Sequence, residues 1–140
     1  MDIDRLTTVI EDFTTIFIRL PPVRKFNFSA LSVLHTLHRD GPLRLTELLP
    51  TEQLKQPALT SLVSNLEQEG LVERRPDPTD GRASLISLTG AGREIVNTRH
   101  AHRIEKLTAL VDRLSPEERA VLAGSVDVLH RLTELAEDTP

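Results

Sequence analysis

The sequence predicts a mainly α fold with a small two- or three-stranded β wing: a winged helix-turn-helix with a helical dimerisation layer drawn from both termini. Three observations predict it. Apolar residues recur at steps of three and four in successive segments, each bounded by proline, glycine or a capping residue. The stretch GLVERRPDPTDGRASLISLT, residues 70–89, instead alternates apolar and polar residues on both sides of a proline- and glycine-containing loop. The terminal segments carry more apolar surface than one small lobe can hide.

Residues 4–20 read as the first helix. Leu6, Ile10, Phe13, Phe17 and Leu20 form a seam, Val9 and Ile16 widen it, and Pro21 and Pro22 end it. A second helix starts near Ser29, a suitable N-cap, with Leu31, Leu34, Leu37 and His38 on its inner face and a stop at Gly41–Pro42. A short amphipathic piece, Leu45–Leu49, is interrupted by Pro50. A cleaner helix follows from Pro57 to Glu69, where Leu59, Leu62, Val63 and Leu66 share one face and Gly70 suits the C-terminal cap. Residues 71–75 and 84–88 read as strands of a hairpin longer than a two-residue turn allows. Thr89 caps a long helix over about 91–114. Ser115-Pro116-Glu117-Glu118 is a compact start signal for the last helix, carried by Val121, Leu122, Val126, Leu129, Leu132 and Leu135.

Helix, helix, short helix, helix, hairpin, long helix, helix is the order of a winged helix-turn-helix with extra helices at both ends. The expected division is a DNA-binding lobe at 29–90 and a helical dimerisation region from 1–28 and 91–140. Leu6, Ile10, Phe13, Phe17, Leu122, Val126 and Leu129 are its expected dimer contacts.

Composition narrows the function. With 140 residues, 39% hydrophobic and 27% charged, the chain has an ordinary globular make-up. It has no cysteine, which excludes disulfides, thiolate metal sites and thiol redox sensing. No H-x-x-x-H pair occurs among the five histidines, so neither a metal nor a cofactor is expected. No nucleophile-elbow or glycine-rich phosphate motif points to an enzyme. No run nears the ~20 apolar residues of a membrane span, and the acidic N-terminus does not read as a signal peptide, so no membrane association and a cytoplasmic location are expected. The net charge of −4 does not advertise nucleic-acid binding, but acidic residues concentrate towards the two ends and leave the middle near balance.

With its leucines turned inward, the helix at 57–69 presents Gln56, Thr60, Ser61, Ser64 and Asn65, with Lys55 and Pro57 at its start and no carboxylate before Glu67. Amide and hydroxyl groups can enter a major groove without repelling phosphates and can both donate to and accept from base edges. The hairpin follows with Arg74, Arg75 and Arg82.

The segment LTSLVSNLEQEGLVERRPDPTDGRASLISLTGAGREI resembles the MarR family of bacterial transcription regulators. The family's wing signature, D-P-x-D-x-R followed by a strand and L-T, is met by Asp77, Pro78, Asp80, Arg82, Leu88 and Thr89. The pattern before it is met by Leu62, Leu66, Glu67, Gly70, Leu71, Val72 and Arg74. The resemblance implies a homodimer that binds double-stranded DNA at a near-palindromic operator, with the recognition helix in the major groove and the wing arginine in the minor groove. It further implies a repressor relieved by a small aromatic or anionic effector. Arg19, Arg24, Lys25, His35 and His38 fall near where the family's ligand cleft would lie. At Ser61 the pattern departs, since many members carry an arginine there, and weight shifts to Lys55, Gln56 and the wing.

In the wing, Pro76 and Pro78 limit loop freedom, and Gly81 allows a tight turn. Asp80 is placed to hold Arg75 or Arg82 by a charge-assisted bond. Arg82 would then meet a narrow minor groove in a fixed pose. The alternative is a winged-helix protein-interaction module without sequence-specific DNA binding.

Overall fold

Asp2 starts the first helix: its carboxylate accepts the Arg5 N–H at 3.0 Å, and α1 runs Ile3–Arg19. The computed structural model describes residues 1–20 and 26–139. The chain divides into two units, Met1–Arg103 and Ile104–Pro140.

In the first unit, α2 spans Phe28–Asp40, β1 Leu43–Arg44, α3 Leu45–Glu52, α4 Gln56–Gln68, β2 Val72–Pro76 and β3 Ser84–Leu88. Helix α5, Gly90–Val111, begins here and continues into the second unit. The three strands form an antiparallel sheet in the order β1-β3-β2, with Leu43 opposite Ile86 and Val72 opposite Leu88. The wing is thus three-stranded. Its first strand, two residues long, is too short to show alternation in sequence.

Leu34, Leu48, Leu59, Val33, Val63, Val72 and Ile86 are almost wholly buried and join α2, α3, α4 and the sheet into one core. Each contributes roughly 1.5–3 kcal/mol by leaving water. Thr36, buried on α2, donates to the Glu52 carboxylate at 2.6 Å and ties the end of α3 to α2. Helix α4 ends in a Schellman motif: Leu71 N–H reaches the Leu66 carbonyl and Gly70 N–H that of Glu67, with Gly70 at φ 74°. Helix α5 packs closely over this turn. A Cβ on the buried Gly92 would collide with the Leu71 carbonyl oxygen, and Thr89 bridges the elements by donating to Gly70 O at 2.6 Å and accepting Gly92 N–H at 3.2 Å.

Several sequence expectations are corrected. The cap of α2 is Asn27, whose side chain accepts Ala30 N–H at 2.8 Å, and the helix starts one residue before Ser29. His38 is exposed rather than on the inner face. Helix α3 runs through Pro50 to Glu52, because the ring removes a single helical bond so near the end. Strand β2 begins at Val72, since Leu71 belongs to the Schellman turn. Helix α5 ends at Val111, and Leu114 falls in the tight turn beyond it.

In the second unit, α6 spans Pro116–Glu137 behind a capping box in which Ser115 and Glu118 exchange backbone bonds. No residue of α6 is buried, and Leu122, Val126 and Leu129 are 42%, 59% and 49% exposed. Helix α1 likewise buries none of its residues. Its Leu6 and Phe17 are partly covered, whereas Ile10 and Phe13 stand exposed. No helix among the described residues is long and apolar enough to cross a membrane.

Candidate nucleic-acid interface and ligand cavity

Lys55 takes the extended N-cap position of α4, and Gln56 and Pro57 open the helix. Burial of Leu59, Val63 and Leu66 turns Gln56, Thr60, Ser61 and Asn65 to solvent and leaves Ser64 half-buried. The Thr60 hydroxyl donates to Gln56 O at 2.8 Å, which leaves its oxygen free to accept. This exposed face carries no carboxylate until Glu67.

The hairpin alternates. Arg74 lies on the α4 side, with Nη2 donating to Ser64 Oγ at 3.2 Å and Nε 3.5 Å from Glu67. Arg75 lies on the other face, paired with Glu73 in a shallow recess shared with His38 and Arg93. Arg74 therefore braces the wing against α4, and Ser64 is one end of that brace.

The loop between the strands is organised by Asp77 rather than Asp80. Asp77 is 6% exposed, and its Oδ1 accepts the Thr79 N–H at 2.9 Å and hydroxyl at 2.8 Å. Its Oδ2 accepts Arg44 Nε at 2.6 Å. The Thr79 bonds, followed by Arg44, hold the Asp77 carboxyl down at about 2, and Asp77 in turn holds the Arg44 guanidinium above its ordinary value. Asp80 takes the backbone N–H of Arg82 at 3.1 Å, with no bond to the guanidinium of Arg75 or Arg82. Arg82 is exposed, with no ion-pair partner among the described residues. Gly81 lies in a tight turn closed by the Ala83 N–H on the Asp80 carbonyl at 3.0 Å, but without the positive φ that Gly41 and Gly70 show among the described glycines. The Asp77-Pro78-Thr79 run is itself an Asx-turn signal that could have identified Asp77. Arg44 had no such signal, because its partner lies 33 residues away.

A cavity of about 590 Å³ opens in the first unit, lined by Thr15, Ile18, Arg19, Phe28, Leu31, Ser32, His35, Arg99 and Arg103. Arg19 and His35 were expected near a ligand cleft. His38 lies elsewhere, and Arg24 and Lys25 lie outside the described residues. Arg99 and Arg103 were not foreseen. They continue the inward stripe of α5 at steps of three and four beyond Val96, a spacing that could have revealed them.

Arg99 is 8% exposed. Its Nε, Arg103 Nε and His35 Nε2 are buried without a hydrogen-bond partner among the described residues. Burial lowers the pKa of both arginines, and burial followed by the charges of Arg103 and Arg99 lowers His35 to about 4. At neutral pH the cavity thus holds a neutral imidazole, three arginines and no lining carboxylate. Arg103 also lies 5.0 Å over the Phe17 ring, which stacks on Phe13 at 5.9 Å. Such a wall suits a negatively charged, partly apolar small molecule.

Comparison with known proteins is consistent with this geometry. The MarR family model matches residues 26–84. A helix-turn-helix transcriptional regulator of Mycobacterium leprae is 30% identical over 119 residues, covering 85% of this chain and 81% of that protein. A crystal structure from Mycobacterium tuberculosis superposes with a TM-score of 0.82 at 23% identity, covering 100% of this chain and 97% of the other. A Bordetella bronchiseptica protein, BpsR, described as regulated in its DNA binding by 6-hydroxynicotinic acid, superposes at 0.61 with 22% identity, over 95% and 93% of the two chains. The fold, the wing and these relatives together make this chain a member of the MarR family of winged helix-turn-helix transcription regulators, which are DNA-binding proteins and not enzymes.

Proposed function

We propose that the protein is a homodimeric, cytoplasmic repressor that binds a near-palindromic operator and is released by a small anionic or aromatic ligand. One observation carries the reading: a recognition helix whose polar face has no carboxylate before Glu67 lies beside a braced wing whose tip arginine is exposed, with no ion-pair partner among the described residues. Gln56, Thr60, Ser61 and Asn65 would face base edges in the major groove, with Lys55 on the backbone. Arg82 would enter the minor groove and read its width and potential. The lobe at 29–90 does the reading, while 1–28 and 91–140 supply the dimer contacts, supported by the uncovered apolar faces of α1 and α6. The arginine-lined cavity, and the ligand control described for BpsR, support release by an anion that favours a different spacing of the two recognition helices.

Selection of duplexes from a random-sequence library by the full-length protein, followed by binding across a salt series, tests this. Arg82→Ala should weaken binding to selected and scrambled duplexes nearly alike and flatten the salt dependence by about one unit of slope per half-site. Gln56→Ala should cost about 1–3 kcal/mol on the selected duplex and little on scrambled DNA. Failure of selection to enrich any sequence would instead favour a protein-interaction module.

A further inference from the structure

The contact between Arg44 and Asp77 joins the start of the helix-turn-helix to the wing loop. Arg44 ends β1 and starts α3, the first helix of the helix-turn-helix. Its backbone N–H donates to Glu47 at 2.9 Å in the capping box that opens α3. Its side chain leaves this helix start and grips the wing: Nε donates to Asp77 Oδ2 at 2.6 Å, Nη2 joins the same oxygen, and Nη2 lies 3.4 Å from the Thr79 hydroxyl.

Within the wing the bonds close a ring. Asp77 N–H donates to Ala83 O at 3.0 Å, Ala83 N–H donates to Asp80 O at 3.0 Å, and Arg82 N–H donates to the Asp80 carboxylate at 3.1 Å. Arg82 stands inside this ring, one residue from its closure. Asp77 is buried and accepts from both sides, so its carboxylate is the joint through which the loop is fixed to the body of the lobe. Arg44 enters from outside the hairpin. The β1–β3 pairing, Arg44 opposite Leu85, sets the height at which it does so.

We propose that Arg44 is a positioning residue for Arg82: by clamping Asp77 it fixes the wing loop relative to the helix-turn-helix, so that the wing arginine and the recognition helix reach one DNA duplex in register. The proposal rests on the reading that Arg82 enters the minor groove. It differs from a direct role for Arg44 on a phosphate, because a guanidinium whose Nε and Nη2 are held by a carboxylate is aimed at the loop rather than outward. Ordering the loop before DNA arrives lowers the entropy lost on binding.

The test uses the full-length protein and a duplex that the wild type selects from a random-sequence library. Asp77→Asn keeps the acceptor for Thr79 but discharges the joint. Positioning predicts about a tenfold loss of affinity, whereas a phosphate-binding Arg44, freed of its carboxylate, would bind DNA more tightly. Arg44→Lys keeps the charge but not the fork, and positioning predicts a loss here too. A double-mutant cycle gives a readout that a merely structural role would not move: Arg44→Ala combined with Arg82→Ala should bind no more weakly than Arg82→Ala alone. The ranking of preferred duplexes should stay unchanged in the Arg44 variants, because α4 is not moved. Urea unfolding establishes that each variant is folded, and if Arg44→Ala is not, Asp77→Asn and Arg44→Lys decide. Additive losses in the cycle, or unchanged or tighter binding by Asp77→Asn, would overturn the proposal. Unaltered binding by Arg82→Ala alone would instead remove the minor-groove reading beneath it.

Discussion

Replacing Arg99 by Met should move stability and ligand binding in opposite directions. In the free protein Arg99 is 8% exposed, its Nε has no partner among the described residues, and Arg103 adds a like charge nearby. An unsatisfied buried polar group costs about 1–3 kcal/mol, more when charged. Met has a similar reach and keeps the packing. The unliganded variant should therefore be at least as stable as the wild type, by up to about 1–3 kcal/mol. An anion in the cavity gains a charge-assisted bond to that guanidinium, worth about 1.5–3 kcal/mol, so its affinity should fall roughly ten- to a hundredfold. The assay is urea unfolding of both proteins with and without benzoate, phenylacetate or inorganic phosphate, with benzyl alcohol as the neutral control. Strong destabilisation of free Arg99→Met would show that the guanidinium is a structural group. Equal stabilisation of both proteins by an anion would show that the anion does not bind there.

Two acid transitions should be separable. His35 titrates near 4 when folded and 6.5 when unfolded, so the unfolded state takes up the proton first and stability falls as pH drops from 6.5 towards 4; His35→Asn should flatten that limb of a stability–pH curve. Asp77 is depressed to about 2 from 3.8, so its contribution is complete above 3.8 and lost as pH falls towards 2, a limb that Asp77→Asn should remove. Gly92→Ala should destabilise the fold by about 1–3 kcal/mol in urea, because the new methyl meets the Leu71 carbonyl rather than a movable side chain. Phe13→Asp or Leu129→Asp should convert a dimer to monomers in light scattering and abolish operator binding; a wild-type monomer at micromolar concentration would contradict the dimer outright.

Much of the fold was legible because local signals and packing agree. Leu59, Val63 and Leu66 repeat at helical spacing and are buried together, Gly70 closes α4 as its position suggests, and Ser115 and Glu118 build the expected capping box. Misreadings fall where a distant partner decides. Strand β1 exists only because β3 is there to pair with it. Pro50 stops nothing, since tertiary packing around the buried Leu48 outweighs one missing bond. The Asx-turn at Asp77 is a local signal, but that Asp77 rather than Asp80 holds an arginine is decided by the approach of Arg44 from another element. The cavity was half visible, through Arg19 and His35. Arg99 and Arg103 fall on the inward stripe of α5, but charged residues on a long helix ordinarily face water, so their spacing is legible and their burial is not.

Hydroxyl-radical footprinting of the full-length protein on its selected duplex tests two-fold DNA recognition most directly. Two copies of α4 and of Arg82 predict two equivalent protected half-sites about one helical turn, roughly 10 base pairs, apart, with the minor-groove protections lost in Arg82→Ala while the half-site spacing is kept. A single protected patch, or a footprint unchanged by Arg82→Ala, would contradict it.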